Sequence, residues 1–179
     1  MTHREQITAL FLDAAKRHPD ILHTDTVKPP RFYELEWEEM VQSGSKLAAV
    51  HWTLILEEYV EEFRDNGADY ISLFPHIAFL VGKHVPQGNN AAKQATYLEA
   101  RRIAHSIVGK FRSDERDRCN ADLPPGVNAP ALVELSTLRI QPIKLPLLDN
   151  AYGVRCTIKI RTDQEEHFSR DEVAWLPLP

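Results

Sequence analysis

Residues 153–162 read Gly-Val-Arg-Cys-Thr-Ile-Lys-Ile-Arg-Thr, and this stretch carries the clearest structural signal in the chain. Apolar and polar side chains alternate along it with a period of two, which is typical of a β-strand with one buried and one exposed face. The predicted buried set is Val154, Cys156, Ile158 and Ile160, and the predicted outward set is Arg155, Thr157, Lys159 and Arg161. The sequence therefore predicts a sheet that has one face covered by other parts of the chain.

The segment before this strand predicts its partner in a hairpin. Residues 132–143 are also apolar at alternate positions, but the pattern changes after Leu135, and Leu138 and Ile140 continue it out of phase. Because side chains alternate strictly along a regular strand, we expect a β-bulge near Ser136-Thr137.

Two earlier apolar segments predict a second hairpin. Residues 50–57 alternate apolar and polar side chains, and residues 71–85 are rich in β-branched and aromatic side chains on both faces. Asn66-Gly67 lies between them and favours a two-residue reversal, because both residues tolerate positive φ. Residues 57–64 leave an alternative open, since they could instead form a helical turn.

Helical periodicity predicts two helices, one at the N-terminus and one in the middle of the chain. Thr2 to Glu5 has capping-box spacing, and His18-Pro19 predicts the end of the first helix. The second helix is predicted from about residue 90 to residue 117. The apolar stripes are Ile7, Leu10, Phe11 and Ala14 in the first helix, and Tyr97, Ala100, Ala104, Ile107 and Phe111 in the second.

Together these segments predict a single α+β domain over residues 1–179. We expect an antiparallel sheet of about four strands, covered on one side by the long helix and the N-terminal helix. The predicted elements are a helix over 2–18, a hairpin over about 50–85, a helix over about 90–117, a hairpin over about 132–162 and a C-terminal tail over 163–179.

Length and composition exclude several classes of protein. The 179 residues have a mass of 20.5 kDa, 43% of them are apolar and 26% are charged, which suits a globular domain with its own core. The longest apolar runs fall short of the ~20 residues that span a bilayer. No signal-peptide pattern is seen, and the two cysteines suit a reducing compartment. We therefore expect a soluble, cytoplasmic protein with no membrane partner.

No catalytic, cofactor or metal motif occurs in the sequence. The eight histidines lack metal-ligand spacing, and the seven glycines form no phosphate-binding loop. Cys156 lies in the buried set of a strand, where a thiol is expected to act as a small apolar side chain. The glutamates at positions 57, 58, 61 and 62 are expected to form a solvated charged face. These features predict a protein that is not an enzyme, with no catalytic residue, no cofactor and no metal.

Charge is distributed unevenly along the chain. Residues 1–90 carry 8 Lys and Arg against 14 Asp and Glu, a net charge of −6, whereas residues 91–161 carry 12 against 7, a net charge of +5. Two hypotheses follow: the basic region binds nucleic acid, or acidic and basic surfaces of neighbouring copies meet. The residues predicted to contact a partner or a polyanion are Arg101, Arg102, Arg155, Lys159 and Arg161.

Two groups of segments resemble a pattern in small structural proteins of tailed phages and prophages of Bacteroidetes-like bacteria. The last hairpin carries Ile140-Gln141-Pro142, then a polar turn, then Tyr152-Gly153, then Thr157 to Ile160. The first hairpin carries Trp52 to Glu57, with Asp65-Asn66 and Ala78 to Val81 downstream. The resemblance covers about residues 32–162.

The resemblance implies a tail-terminator-like or head–tail joining protein. Such a protein is a small, non-enzymatic α+β subunit of the virion that forms a ring. Its expected partners are other copies of itself and phage tail-tube or neck proteins, in the cytoplasm of the bacterial host and in the virion. The alternative that the residues leave open is a nucleic-acid-binding module that uses the basic side chains of the long helix and the last strand.

Overall fold

A computed structural model describes residues 3–34, 51–60, 62–65, 71–73, 75–122, 133–144, 150–160 and 165–166. The elements, in chain order, are α1 (His3–Arg17), β1 (Phe32–Glu34), β2 (Thr53–Val60), β3 (Phe63–Asp65), β4 (Ile71–Leu73), β5 (His76–His84), α2 (Asn90–Asp122), β6 (Val133–Lys144), β7 (Ala151–Ile160) and β8 (Glu165–Glu166). This set of helices and strands confirms the predicted α+β class.

The main sheet has five strands in the order β1-β2-β5-β7-β6. Strand β1 runs parallel to β2, and the other neighbours are antiparallel. The prediction of a purely antiparallel, four-stranded sheet was therefore wrong. Parallel neighbours need a crossover of a dozen or more residues, and residues 35–52 between β1 and β2 are long enough to provide it. A small second sheet has the order β3-β4-β8.

Both predicted hairpin pairings are confirmed, and the connection within the first one is more elaborate than expected. Strand β2 pairs with β5, but β3 and β4 pair with each other in between. Residues 57–60 and 63–65 are therefore strands, and the alternative of a helical turn there was wrong. Asn66-Gly67 falls between β3 and β4 and lies outside the described residues.

The apolar run over residues 71–85 forms two strands, and the prediction of one strand was wrong. The break comes before β5 at Pro75, whose backbone has no N–H to donate to a ladder. The carbonyl of Pro75 instead accepts a hydrogen bond from the Ile160 N–H at 3.1 Å. Strand β2 also differs from expectation, because its first half, Thr53 to Leu56, is buried on both faces.

The bulge predicted near Ser136-Thr137 is confirmed in β6. The register of β6 against β7 shifts between Glu134, which faces Lys159, and Arg139, which faces Thr157. Five steps along β6 therefore correspond to two steps along β7. The extra residues bend β6 away from the regular ladder.

The two helices cover one face of the main sheet, as predicted. The first ends at Arg17, just before His18-Pro19, and the second continues to Asp122, five residues past its expected end. Pro124 explains the later stop, since a proline disfavours helical geometry in the residue before it.

One apolar core joins both helices to the inner face of the sheet. Phe11 of α1 lies at its centre, with its ring centroid 5.0 Å from that of Phe79 on β5 and 5.0 Å from that of Phe111 on α2. The inner set of β7 is buried as predicted, together with most of both helical stripes. The opposite face of the sheet carries the charged residues of β7.

Candidate interaction surface

The outward side chains of β7 lie on the face of the sheet that the helices leave uncovered. Val154, Cys156 and Ile158 belong to the core. The alternate residues Arg155 and Lys159 are only half-buried, because successive side chains of a strand point to opposite faces. We call this face, formed by the outward side chains of β2, β5, β7 and β6, the outer face.

The two basic residues of β7 on the outer face form ion pairs with the glutamates that follow the buried half of β2. Arg155 donates to Glu57 at 2.6 Å and to Glu58 at 3.0 Å, and Lys159 contacts Glu62. Strand β5 lies between β2 and β7, so each Arg155 pair spans two strand spacings, about 10 Å. The register shift in β2 between Leu56 and Glu58 explains how two successive glutamates reach one guanidinium.

The three glutamates of these ion pairs differ in how far their side chains are exposed to solvent. The Glu57 side chain is 7% exposed, whereas those of Glu58 and Glu62 are 42% and 41% exposed. The expectation of a solvated charged face was therefore wrong for Glu57, which is held under the Arg155 guanidinium. Exposed pairs of this kind contribute about 0–1 kcal/mol each, so the outer pairs mainly fix side-chain positions. The prediction also named Glu61, which lies outside the described residues.

A groove of about 540 Å³ opens on the outer face between β6 and β7. The bulge of β6 shapes its floor, since the Thr137 hydroxyl accepts a hydrogen bond from the Lys159 N–H at 2.9 Å and donates one to the Glu134 carbonyl at 2.7 Å. The groove is lined by polar side chains: His76, Ser136, Thr137, Arg139, Gln141, Arg155, Thr157 and Lys159.

Arg139 is the groove cation that sequence reasoning missed. It is exposed on β6, and among the described residues no acidic side chain pairs with it. The predicted bulge near Ser136-Thr137 was the available signal, because a bulge redirects the side chains that follow it. The isolated arginine itself has no motif that would have singled it out.

The five predicted contact residues do not form one surface. Arg155 and Lys159 line the groove, whereas Arg101 and Arg102 lie on α2, across the sheet from it. Arg161 lies outside the described residues. Sequence pattern could not reveal this split, because the side of the sheet on which α2 packs depends on the tertiary fold.

The two helical arginines are exposed, and Arg102 is paired with two carboxylates. Arg102 donates to Glu99 at 2.6 and 2.9 Å and to Asp20 at 2.5 Å, and these hydrogen bonds raise the pKa of its guanidinium. Arg101 lies 3.5 Å from His105, one turn along the helix. The Arg102 contacts tie α2 to the segment after α1 and leave little free charge for a polyanion.

The thiol of Cys156, another candidate reactive group, is buried in the apolar core. Burial raises the pKa of Cys156 to about 12, so this thiol stays protonated at neutral pH. Within the described ranges no group of three or more His, Cys, Asp or Glu side chains is arranged to hold a metal ion. Cys119 belongs to α2, and the structure describes only its backbone.

Comparison with known proteins finds no relative of this chain. In the part of the chain that the structure describes, no helix combines the length and apolarity needed to cross a bilayer. Scans against protein-family models, curated proteins and solved structures find no significant match to the chain.

Proposed function

We propose that this chain is a non-enzymatic structural subunit of a tailed-phage or prophage virion. In this proposal it forms a ring at the tail end or the head–tail joint, works without a cofactor, and meets tail-tube or neck proteins in the host cytoplasm and in the virion. The resemblance of residues 32–162 suggests the setting. The difference in chemistry between the two edges of the main sheet supports the assembly.

One edge of the sheet is acidic in sequence. It ends in the short strand β1, whose last residue, Glu34, pairs with Arg4 of α1 at 3.1 Å. Residues 34–39 contain four glutamates, Glu34 included, and no basic residue. We call residues 34–39 the acidic segment. The opposite edge is the twelve-residue strand β6, which carries Arg139 and the exposed Lys144.

Because the two edges differ in charge, they favour contacts between different surfaces of two copies. Such a heterologous contact adds one copy after another and closes into a ring when the rotation per copy allows it. Opposite charges at the two edges also disfavour the like-to-like contact that would give a twofold dimer. The single observation that carries the proposal is therefore that the acidic segment begins in sequence at the β1 edge, whereas the cationic groove lies at the β6 edge.

Strand β6 has the features of an edge that meets a partner through side chains. Leu135 is 42% exposed on it, and no described strand pairs with its outer side. Pro142 lies within it, and a proline in a strand is tolerated at an edge, where its missing N–H faces outward. That gap interrupts any continuous backbone ladder with a neighbour, so side chains must supply much of the contact.

The nucleic-acid hypothesis gains less support from this arrangement. Binding to a phosphate backbone depends on several free cations on one surface, and Arg155 and Lys159 already pair with glutamates. Arg101 and Arg102 lie on the other side of the sheet.

The proposal is tested by the mass of the purified full-length chain in solution. Light scattering coupled to size-exclusion chromatography should give a multiple of 20.5 kDa at high concentration or when the tail-tube partner is added. A mass that stays at 20.5 kDa under both conditions contradicts the proposal.

A further inference from the structure

Among the described residues that line it, the groove on the outer face combines one free cation, Arg139, with neutral hydrogen-bond donors. Arg155 and Lys159 are occupied by Glu57, Glu58 and Glu62. What remains for a ligand is the Arg139 guanidinium, flanked by the Gln141 amide and by the hydroxyls of Ser136 and Thr157. A guanidinium matches the two oxygens of a carboxylate, and the neutral donors can bind further carboxylate oxygens.

The groove composition favours an acidic peptide over a nucleic acid. A nucleic-acid strand is bound by rows of cations along its backbone and by aromatic side chains that stack on its bases. The eight lining residues include no Phe, Tyr or Trp, and their paired cations are already offset by carboxylates. A peptide with a few carboxylates needs only the single free charge that Arg139 offers.

We propose that the groove between β6 and β7 binds the acidic segment of a neighbouring copy, with Arg139 as the anchoring residue. This inference rests on the proposed function, since it names the contact that joins one copy to the next. It also explains how opposite edges of the sheet meet, because the acidic segment begins at the β1 edge and the groove lies at the β6 edge.

The spacing of the glutamates suits a shallow groove along a strand. In an extended peptide, residues two apart project to the same side, about 7 Å from each other. Glu36 and Glu38 have this spacing, and Glu39 follows them. One carboxylate can therefore reach Arg139 while the next meets the hydroxyl and amide donors of the groove.

The test measures binding of a fluorescent peptide that carries residues 32–42 to the full-length chain by anisotropy. Arg139→Glu should weaken binding at least about tenfold, which corresponds to about 1.4 kcal/mol. Arg112→Glu is the matched control, because Arg112 is exposed on α2, outside the groove, and undergoes the same change of charge. A peptide with Gln at positions 36, 38 and 39 should bind the unmodified chain no more tightly than the native peptide binds the Arg139→Glu chain.

Three further measurements make the outcome interpretable: peptide binding by a conservative variant, thermal melts, and competition with DNA. Arg139→Lys should retain part of the affinity, and thermal melts of every variant show whether the fold is intact. Equal peptide binding by Arg139→Glu and Arg112→Glu overturns the inference. So does a single-stranded DNA 12-mer that displaces the labelled peptide at lower concentration than the unlabelled peptide does, since it would mark the groove as a nucleic-acid site.

The inference and the proposed function can fail separately. If the chain assembles and Arg139→Glu assembles equally well, the groove is not the contact, although the ring proposal survives. If the chain stays monomeric while the peptide binds through Arg139, the ring is excluded and the acidic-peptide site stands.

Discussion

Gly153 occupies a position in β7 where the neighbouring strand leaves no space for a side chain. A Cβ atom built there would lie 2.0 Å from the Val81 carbonyl oxygen and 2.6 Å from the Gly82 Cα. Gly82 faces Gly153 directly in the β5–β7 ladder. The backbones of the two central strands therefore approach each other more closely here than any side chain at position 153 permits.

Gly153→Ala should lower the free energy of unfolding by about 3 kcal/mol, because backbone atoms on β5 must move to admit the methyl group. Gly109→Ala is the control: Gly109 is on α2, and apart from its chain neighbours and the nearby backbone of its own helix no atom lies within 4 Å of the added Cβ. Alanine there should stabilise the chain by about 0.5–1 kcal/mol. Urea unfolding of both variants measures the difference. Equal stabilities would contradict the close approach of β5 and β7.

Two histidines after α1 are buried and accept hydrogen bonds from the backbone. The His18 Nδ1 accepts from the Asp20 N–H at 3.2 Å, and the His23 Nδ1 accepts from the Arg31 N–H at 3.3 Å. Burial lowers the pKa of both, against the opposing charges of Asp20 and Asp25. The folded chain therefore holds both imidazoles neutral where the unfolded chain begins to protonate them.

Stability should consequently fall as the pH drops below about 6.5, because the unfolded state then binds more protons than the folded state. The loss continues until the pH passes the lowered pKa of the folded state. A His18→Asn/His23→Asn variant keeps a side-chain acceptor at each site without a titrating group, and should lose less stability between about pH 7.5 and pH 5.5. Thermal melts across this range compare the two chains, and parallel pH profiles would refute the prediction.

At the scale of elements, the bulge of β6 is held by one hydroxyl. Thr137 lies inside the register shift, and its hydroxyl bridges the Glu134 carbonyl and the Lys159 N–H, which belong to the last register pair before the shift. The sequence revealed that a bulge was needed, because the apolar alternation changes phase across residues 136–137. It could not reveal that the bulge would shape a groove, since the partners come from β7.

Thr137→Val should destabilise the chain by about 1–2 kcal/mol, since it leaves a partly buried N–H and carbonyl without their hydroxyl partner at nearly constant shape. Thr137→Ser should restore most of the loss. Thr157→Val, a similar change on the neighbouring strand, serves as the control. Chemical denaturation orders the three variants, and the bridge has no structural role if Thr137→Val and Thr157→Val prove equally stable.

The elements that local pattern predicted best are those whose burial is one-sided. The inner face of β7 and the stripe of α2 repeat with a clear period, so their core residues could be read directly. The first half of β2 was harder, because the alternation over residues 50–57 predicts one buried face, whereas Thr53 to Leu56 are buried on both faces. The division of residues 71–85 at Pro75 was predictable in principle from the missing N–H of proline.

At the scale of the whole molecule, local sequence pattern could not predict the strand order or the partners of the charged residues. The placement of β1 beside β2, and of β5 between β2 and β7, depends on contacts far apart in sequence. The same non-local order pairs Arg155 with Glu57 and Glu58, nearly a hundred residues away. It also separates the basic residues of α2 from those of β7, which sequence analysis had grouped together.

The proposed assembly depends on contact between opposite edges of neighbouring copies. A charge exchange tests that contact, with Arg139→Glu in one chain and Lys replacing Glu36, Glu38 and Glu39 in the other. Each variant alone carries the same charge at both edges, so neither should assemble, whereas an equimolar mixture should recover complexes through the reversed pairs.

Native mass spectrometry of the two variants and their mixture is the most direct measurement. We expect about 20.5 kDa for each variant alone and, in the mixture, multiples of that mass that contain both variants. A mixture that stays at 20.5 kDa while the unmodified chain assembles would contradict the proposed contact.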